Sequence, residues 1–280
     1  MTWKIVADSG CDYREITDLA DQTKFESVPL TIQIDHEIFV DNAYLDIDGM
    51  MEKMYATSSA SKSACPSPDD YLRSFEGAEN IFVVTITGSL SGSYNSAQLA
   101  KKLFLEENPT ANIHVIDSLS AGGEVDLIVK KLNDLIKEGL SFEQVVEAIT
   151  HYQANTKLLF VLAKVDNLVK NGRLSKLIGA VVGLLNIRMV GEASDTGTLE
   201  LLQKARGAKK ALTAAVDEVL KAGYKGGRII IAHRNNEKFC QQFSEVIKEK
   251  FPAADISFLP TSGLCSFYAE EGGLLMGYEI

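Results

Sequence analysis

The chain is short of several things, and each shortage excludes something. Four cysteines in 280 residues, Cys11, Cys65, Cys240 and Cys265, form no C-x-x-C pair. Neither the disulfide framework of a small secreted domain nor a zinc ribbon is encoded, and the thiols are expected to be reduced and to pack as small hydrophobes. Four histidines, His36, His114, His151 and His233, make no i,i+4 pair and join no Cys/His cluster, so no metal site is expected and no cofactor is implied. Positive charge is also scarce: 28 Lys+Arg stand against 38 Asp+Glu, a formal charge of −10, which argues against nucleic acid as a partner. The apolar run from Leu177 to Ile187 is too short to span a bilayer and contains Gly179, Gly183 and Asn186. At the start, Met1–Asp8 shows no basic stretch followed by a long apolar one; no secretory signal is visible, and the cytoplasm is the expected location.

What is present is the composition of a globular protein, 46% hydrophobic and 24% charged, long enough for two domains of ordinary size. Short β-branched runs alternate with helical patterns. Lys4–Ala7 reads as a buried strand and Glu15–Thr23 as a helix; Ser27–Ile34 reads as a second strand, and the acidic stretch Asp41–Met54 is helix-compatible. Thr57–Pro68 is a Ser-rich loop stiffened by Pro66 and Pro68, with Ser67 as the N-cap of a helix through Phe75. That leaves Ser63 as the freer hydroxyl. A strand at Asn112–Ile116, then helical repeats at Ile128, Leu132, Leu135 and at Val145, Ile149, follow. The alternation predicts an α/β fold with a mostly parallel sheet, and Asp8, Thr87 and Asp117 fall just past strand ends on one edge of it.

The most informative stretch is Ile81 to Ala97. A β-branched run ends in the turn Gly88–Ser89–Leu90–Ser91–Gly92–Ser93, and a helix-compatible segment, Asn95–Phe104, follows. Amides in the first turn of a helix lack intrahelical acceptors and sit at the positive end of its dipole, so with the Ser91 and Ser93 hydroxyls this reads as an anion cradle for a phosphate or a carboxylate. The same residues are also ordinary turn and capping residues. Three familiar patterns are absent: Leu90 stands where a nucleophile elbow needs Ser, no G-x-G-x-x-G opens the helix, and no Lys completes a Walker A loop.

From Lys157 the texture changes. Leu158–Leu162 is a strand, Gly172 suits a helix terminus and Ser175 a new N-cap, and Leu177–Leu185 reads as a buried helix or an apolar wall toward a lipophilic ligand. Ile187–Ala193 and Leu199–Lys204 flank Ser194–Asp195–Thr196–Gly197–Thr198, a hairpin. Basic residues Arg206, Lys209 and Lys210 follow, then a helix through Leu220, a strand Arg228–Ala232, a helix bearing Phe239 and Phe243, and a last expected strand, Asp255–Leu259.

Taken in order, Asp8–Ser9, Ser63–Pro68, Ile86–Ala97, Asp117–Ser118 with Gly122, Gly172–Ser175, and Arg206 with Lys209 and Lys210 resemble the DegV family. Its members are bacterial fatty-acid-binding proteins that present an acyl chain to a fatty acid kinase. The resemblance implies a two-domain α/β fold, residues 1–156 carrying the carboxylate-binding loops on a mostly parallel sheet and residues 157–280, with a mixed sheet and helices, closing an acyl slot. It implies a non-catalytic lipid carrier with two partners, a long-chain fatty acid and a separate fatty acid kinase that forms the acyl phosphate. A peripheral encounter with a membrane is compatible with that role. Residue by residue, the family's carboxylate-binding hydroxyl falls on Ser63 and its Leu-Ser-Gly-Thr/Ser turn on Leu90–Ser91–Gly92–Ser93. Arg206 matches a family arginine facing the kinase or the phosphate, and Arg173 lies in a family motif that implies interdomain packing near the slot, on the same kinase-facing or phosphate-proximal side.

Two stretches depart from the family. Ser63–Ala64–Cys65–Pro66 replaces Thr-Ser-Gln-Pro, and Tyr268–Ala269–Glu270–Glu271–Gly272 replaces His-x-Gly-Pro-Gly, so Tyr268 stands where a histidine would reach the carboxylate. A phenol donates a hydrogen bond without adding charge. The rival readings are a serine hydrolase or acyltransferase using Ser91 with His233, and a phosphate-binding sensor using the same turn.

Overall fold

The computed structural model describes residues 2–59, 61–174 and 186–280. The expected N-cap Ser175 and the apolar run Leu177–Leu185 lie outside the described residues.

Four strands form the first sheet. β1 (Trp3–Asp8) pairs in parallel with β2 (Thr23–Val28) and with β6 (Asn80–Thr85), which pairs in parallel with β7 (Asn112–Asp117). The order β2-β1-β6-β7 is all parallel, and the buried faces of β1 and β6 match their near-continuous apolar sequences. Because the strands are parallel and in register, Asp8, Thr85 and Asp117 end together, and the turns beyond them share one edge.

The segment expected as one strand at 27–34 is two. It breaks at Pro29, which cannot donate to a ladder, and β3 (Thr31–Ile34) leaves to form a separate antiparallel sheet, β4-β3-β5, with β4 (Glu37–Val40) and β5 (Lys62–Ala64). Helix α1 (Ile47–Ala56), capped by Asp46, lies between them in sequence. Helix α2 (Pro68–Phe75) has the expected Ser67 cap, closed as a capping box with Asp70. The helix expected at Glu15–Thr23 does not form. Its polar groups are held by the side chain of Asn133: the Ala20 amide donates to Asn133 Oδ1 at 2.8 Å and Asn133 Nδ2 donates to the Asp18 carbonyl at 2.7 Å.

Helix α3 (Ser93–Glu107) packs on one face of the parallel sheet. Helices α4 (Gly123–Lys137) and α5 (Phe142–Gln153) form the layer behind it. A six-stranded mixed sheet follows, made of β8 (Thr156–Leu162), the hairpin β9 (Ile187–Ala193) and β10 (Leu199–Arg206), β11 (Arg228–His233), β12 (Asp255–Pro260) and β13 (Leu274–Glu279) in the order β10-β9-β8-β13-β11-β12. Only β11 and β12 run parallel. Helices α7 (Ala208–Lys221) and α8 (Glu237–Lys250) cover this sheet, while α6 (Asp166–Lys170) and α9 (Gly263–Ala269) lie toward the first half of the chain.

Strand β13 is not among the sequence expectations, which end at Leu259. It occupies the sheet centre between β8 and β11. Gly277 within it is required by contact: a Cβ there would lie 2.3 Å from the Gly123 carbonyl oxygen, and one on Gly123 would lie 2.4 Å from that of Ile230. Two glycines thus let the first turn of α4 rest directly on the second sheet, and α4 is the helix both sheets share.

Candidate ligand-binding site

The turn after β6 is rigid because its amides are occupied. Ile86 N–H donates to Asp8 Oδ2, Gly88 N–H to Asp117 Oδ1, Thr87 N–H to the Ser120 carbonyl, and the Leu90 and Ser91 amides to the Thr87 carbonyl, at 2.8–3.2 Å. Most of the amides expected to cradle an anion therefore hold the turn itself. From the second sheet the β9–β10 hairpin reaches the same turn. Thr87 Oγ1 donates to the Gly197 carbonyl at 2.9 Å and Ser89 Oγ to that of Thr196 at 2.6 Å. Gly197 is required there, since its φ is +77° and a Cβ would lie 2.1 Å from Thr87 Oγ1.

Beside this turn the described residues enclose a cavity of about 300 Å³, at the lower end of small-molecule sites. One side is apolar: Leu158, Phe160 and Leu162 of β8 face Leu30, Leu168, Leu199, Leu264 and Leu275. The other end is polar and collects Ser63, Ser91, Gly92, Tyr268 and Arg173. Ser63 comes from β5, Ser91 from the turn, Tyr268 from α9 and Arg173 from the loop after α6, so four distant segments meet. The Ser63 and Tyr268 hydroxyls are 2.7 Å apart. Arg173 is tied down through Nε to the Leu90 carbonyl at 3.3 Å and through Nη1 to that of Asn171 at 2.5 Å. Gly92 packs against Cys65, and a Cβ on it would lie 2.9 Å from that sulfur.

Burial pushes the Tyr268 phenol up, with the Ser63 hydrogen bond and the Arg173 charge pulling the other way; the ring is a neutral donor around pH 7. Asp8, behind the turn, is fully buried, and burial pushes it up to about 7 against the hydrogen bonds it accepts from the Gly10 and Ile86 amides. The combination of apolar wall, paired hydroxyls and one guanidinium suits a long apolar molecule with a small anionic head.

Residues 2–278 match the family described as uncharacterised proteins of the DegV family. The chain belongs to the DegV family. A DegV domain-containing protein of Streptococcus gordonii is 77% identical over all 280 residues, each chain covered completely. Among solved structures, the fatty acid kinase B3 protein of Streptococcus pneumoniae loaded with linoleic acid is 77% identical, covers 100% of both chains and superposes with a TM-score of 0.99. A DegV family protein of Eubacterium eligens loaded with heptadecanoic acid is 40% identical over 99% of both chains, with a TM-score of 0.95. The DegV fold is the expected two-domain α/β one, with a parallel N-terminal sheet and a mixed C-terminal sheet with helices.

Within this DegV fold the remaining candidates sit elsewhere. Ser93 is fully buried behind Ser91 and bonds to it at 3.1 Å instead of lining the cavity. Arg206 is at the exposed end of β10, away from the cavity lining. His233, the base a hydrolase reading needs, is not in the lining; its Nδ1 accepts the Asn236 amide at 3.1 Å, and no histidine is among the described lining residues. Among the described residues no cluster of ligating side chains could hold a metal, and no helix is long and apolar enough to cross a membrane. The sequence reading left out the hairpin tip and the α9 residues Leu264 and Cys265. The tip reads locally as a turn, and nothing in sequence ties it to a strand a hundred residues earlier.

Proposed function

We propose that this protein binds a long-chain fatty acid in the slot between its domains and presents the carboxylate to a separate fatty acid kinase for acyl-phosphate formation. The observation that carries the reading is the cavity itself, an apolar wall from the second sheet ending in the Ser63, Ser91 and Tyr268 hydroxyls beside Arg173. The similar pneumococcal protein loaded with linoleic acid supports the ligand class. Burying an alkyl chain contributes about 0.8 kcal/mol per CH₂, enough to dominate affinity. The carboxylate needs donors because a buried charge without hydrogen bonds is costly. Ser63 and Ser91 are the first of these, with Ser93 orienting Ser91, and Tyr268 takes the place of the family histidine without its charge. Arg173 then supplies the positive charge at the polar end. Residues 1–156 carry the serine loops that hold the head group, and residues 157–280 close the slot over the chain and add Tyr268 and Arg173 at its polar end. Arg206 faces the kinase, in the cytoplasm, and loading involves a transient encounter with a membrane surface.

Mass spectrometry of the purified protein under denaturing conditions tests this directly: release of a long-chain fatty acid is expected, and protein carrying no acyl chain that also fails to take one up in solution would overturn it. Replacing Ser63 and Ser91 together by Ala is expected to weaken retention about a hundredfold or more, since each hydroxyl bonded to a charged group contributes roughly 1.5 kcal/mol or more.

A further inference from the structure

One row of four residues crosses the slot-facing side of the second sheet. Strand pairing sets Leu201 of β10 beside Gly191 of β9, Gly191 beside Phe160 of β8, and Phe160 beside Leu275 of β13. Residues directly opposite one another in antiparallel strands project to the same face, and Phe160 and Leu275 line the cavity. The whole row therefore turns toward it. Three of its positions carry bulky side chains and one carries none.

The bare position is filled from the side. A Cβ on Gly191 would lie 2.3 Å from Phe160 Cζ and 2.7 Å from Cε2, so the tip of the ring occupies the space that a Gly191 side chain would take. The ring is laid across β9 instead of standing up from β8 into the slot, the cross-strand arrangement in which an aromatic shields a strand glycine. Gly191 is accordingly buried, and it is not among the described lining residues although its row faces the cavity. Glycine weakens a strand interior, having no side chain to pack and more backbone freedom to lose, so its place here has to be accounted for. Two contacts require it. A Cβ would also lie 2.3 Å from the Glu200 carbonyl oxygen, next to the register shift between Leu201 and Gln203. That contact is local to the hairpin, whereas the one with Phe160 reaches the slot.

We propose that Phe160 is a specificity-determining residue for the acyl chain and Gly191 its positioning residue: the ring laid over Gly191 keeps the slot wide at this row, where it admits a chain carrying a bend or a branch. This rests on the fatty-acid reading above and adds a shape to it. Leu158 and Leu162, which also line the cavity, flank Phe160 on the same face of β8, so the row lies at the middle of that wall. Ile86, Ala121 and Leu264 line the same cavity from the core of the first sheet, and the space between them and the row is the width of the slot. Gly191→Ala would lift the ring tip by more than about 1 Å, because carbon atoms rest about 3.5–4.0 Å apart and the backbone of β9 lies beneath it. The ring then rises into the slot. Phe160→Leu does the reverse, since a leucine is shorter than the ring and leaves the face of Gly191 uncovered.

The test uses two pairs of acids. Oleic acid is compared with elaidic acid, its trans isomer, which has the same length and composition without the bend; a mid-chain methyl-branched acid is compared with stearic acid. Each is measured by displacement of a fluorescent fatty acid from the delipidated wild type, Gly191→Ala and Phe160→Leu. Gly191→Ala is expected to lower the affinity for oleic relative to elaidic acid about tenfold, the discrimination that one misplaced methylene produces in an apolar site. Phe160→Leu is expected to raise the affinity for the branched relative to the straight acid by about the same factor. Each ratio compares two ligands on one variant, so a general loss of stability, the effect of a merely structural role, leaves it unmoved. Gly191→Ala also presses on the Glu200 carbonyl and can cost folding; in that case Phe160→Leu decides the proposal alone. An unchanged branched-to-straight ratio in Phe160→Leu overturns the role of Phe160, and an unchanged oleic-to-elaidic ratio in folded Gly191→Ala overturns that of Gly191. Failure of the wild type to bind any of these acids overturns the fatty-acid reading.

Discussion

The Tyr268 hydroxyl bonds Ser63 across 205 residues of sequence. Because burial raises the phenol, this donor is constant through neutral pH. Tyr268→Phe is therefore expected to weaken fatty-acid retention about three- to tenfold, one neutral hydrogen bond, with no change in pH profile; equilibrium binding at two pH values checks both. Cys65 gives a second handle. It is the exposed thiol of the four and lies at the cavity edge against Gly92, while Cys11, Cys240 and Cys265 are buried. A thiol reagent is expected to modify Cys65 rapidly and the others only on unfolding, and bound fatty acid should slow that reaction. Equal rates with and without ligand would place the head group elsewhere. Asp8, Asp12 and Asp126 are buried carboxyls, each raised in the folded state above an ordinary value of 3.8. A raised acid favours folding fully while both states are protonated and loses that advantage as the unfolded chain ionises first. The contribution of Asp8 is thus present below about pH 4 and is lost as pH rises toward about 7, and those of Asp12 and Asp126 fall in the same direction. A carboxyl resonance titrating near 7 is the expected NMR signature of Asp8.

At the scale of elements, the site depends on α4 and on the β9–β10 hairpin. Gly123 touches backbone on three sides, the Ile230 carbonyl, the Gly277 amide and the Leu275 carbonyl, all within 2.7 Å of a built Cβ. Backbone cannot swing aside as a side chain can, so Gly123→Ala is expected to destabilise by about 3 kcal/mol or more, or to prevent folding; thermal unfolding measures it. The hairpin tip acts differently, since it grips the serine turn without burying much. Thr87→Val removes the bond to the Gly197 carbonyl and the one accepted from the Ser89 amide. A faster release of ligand with a small change in stability is expected, measured by displacement kinetics. Sequence made the hairpin legible, because Asp-Thr-Gly between two strand-length segments encodes a tight turn. It did not make the contact legible, because backbone carbonyls at the tip carry no side-chain signature. Strand β13 was missed for a related reason: Gly272, Gly273 and Gly277 read locally as loop, and the need for Gly277 comes from α4, not from the strand.

For the whole molecule, the cavity walls come from both sheets, so ligand links them. A ligand that binds only the folded state stabilises it by about 2.7 kcal/mol at a hundredfold excess over its dissociation constant. Delipidated protein is expected to melt at lower temperature than loaded protein, and refilling with fatty acid should restore the difference in calorimetry. Sequence by itself determined the alternation of strands and helices, the edge where Asp8, Thr87 and Asp117 gather, and the Ser/Gly turn as a place for an anion. These follow from local periodicity and from the geometry of parallel strands. Tertiary structure alone decided which groups line the cavity. The turn amides expected to cradle an anion are mostly occupied by Asp8, Asp117 and Thr87. Ser93 serves Ser91 from behind, and Ser63 meets Tyr268 only because α9 packs against the small sheet. A hydrogen-bonding group is free or taken according to what the fold brings within about 3 Å of it, and sequence spacing does not carry that distance.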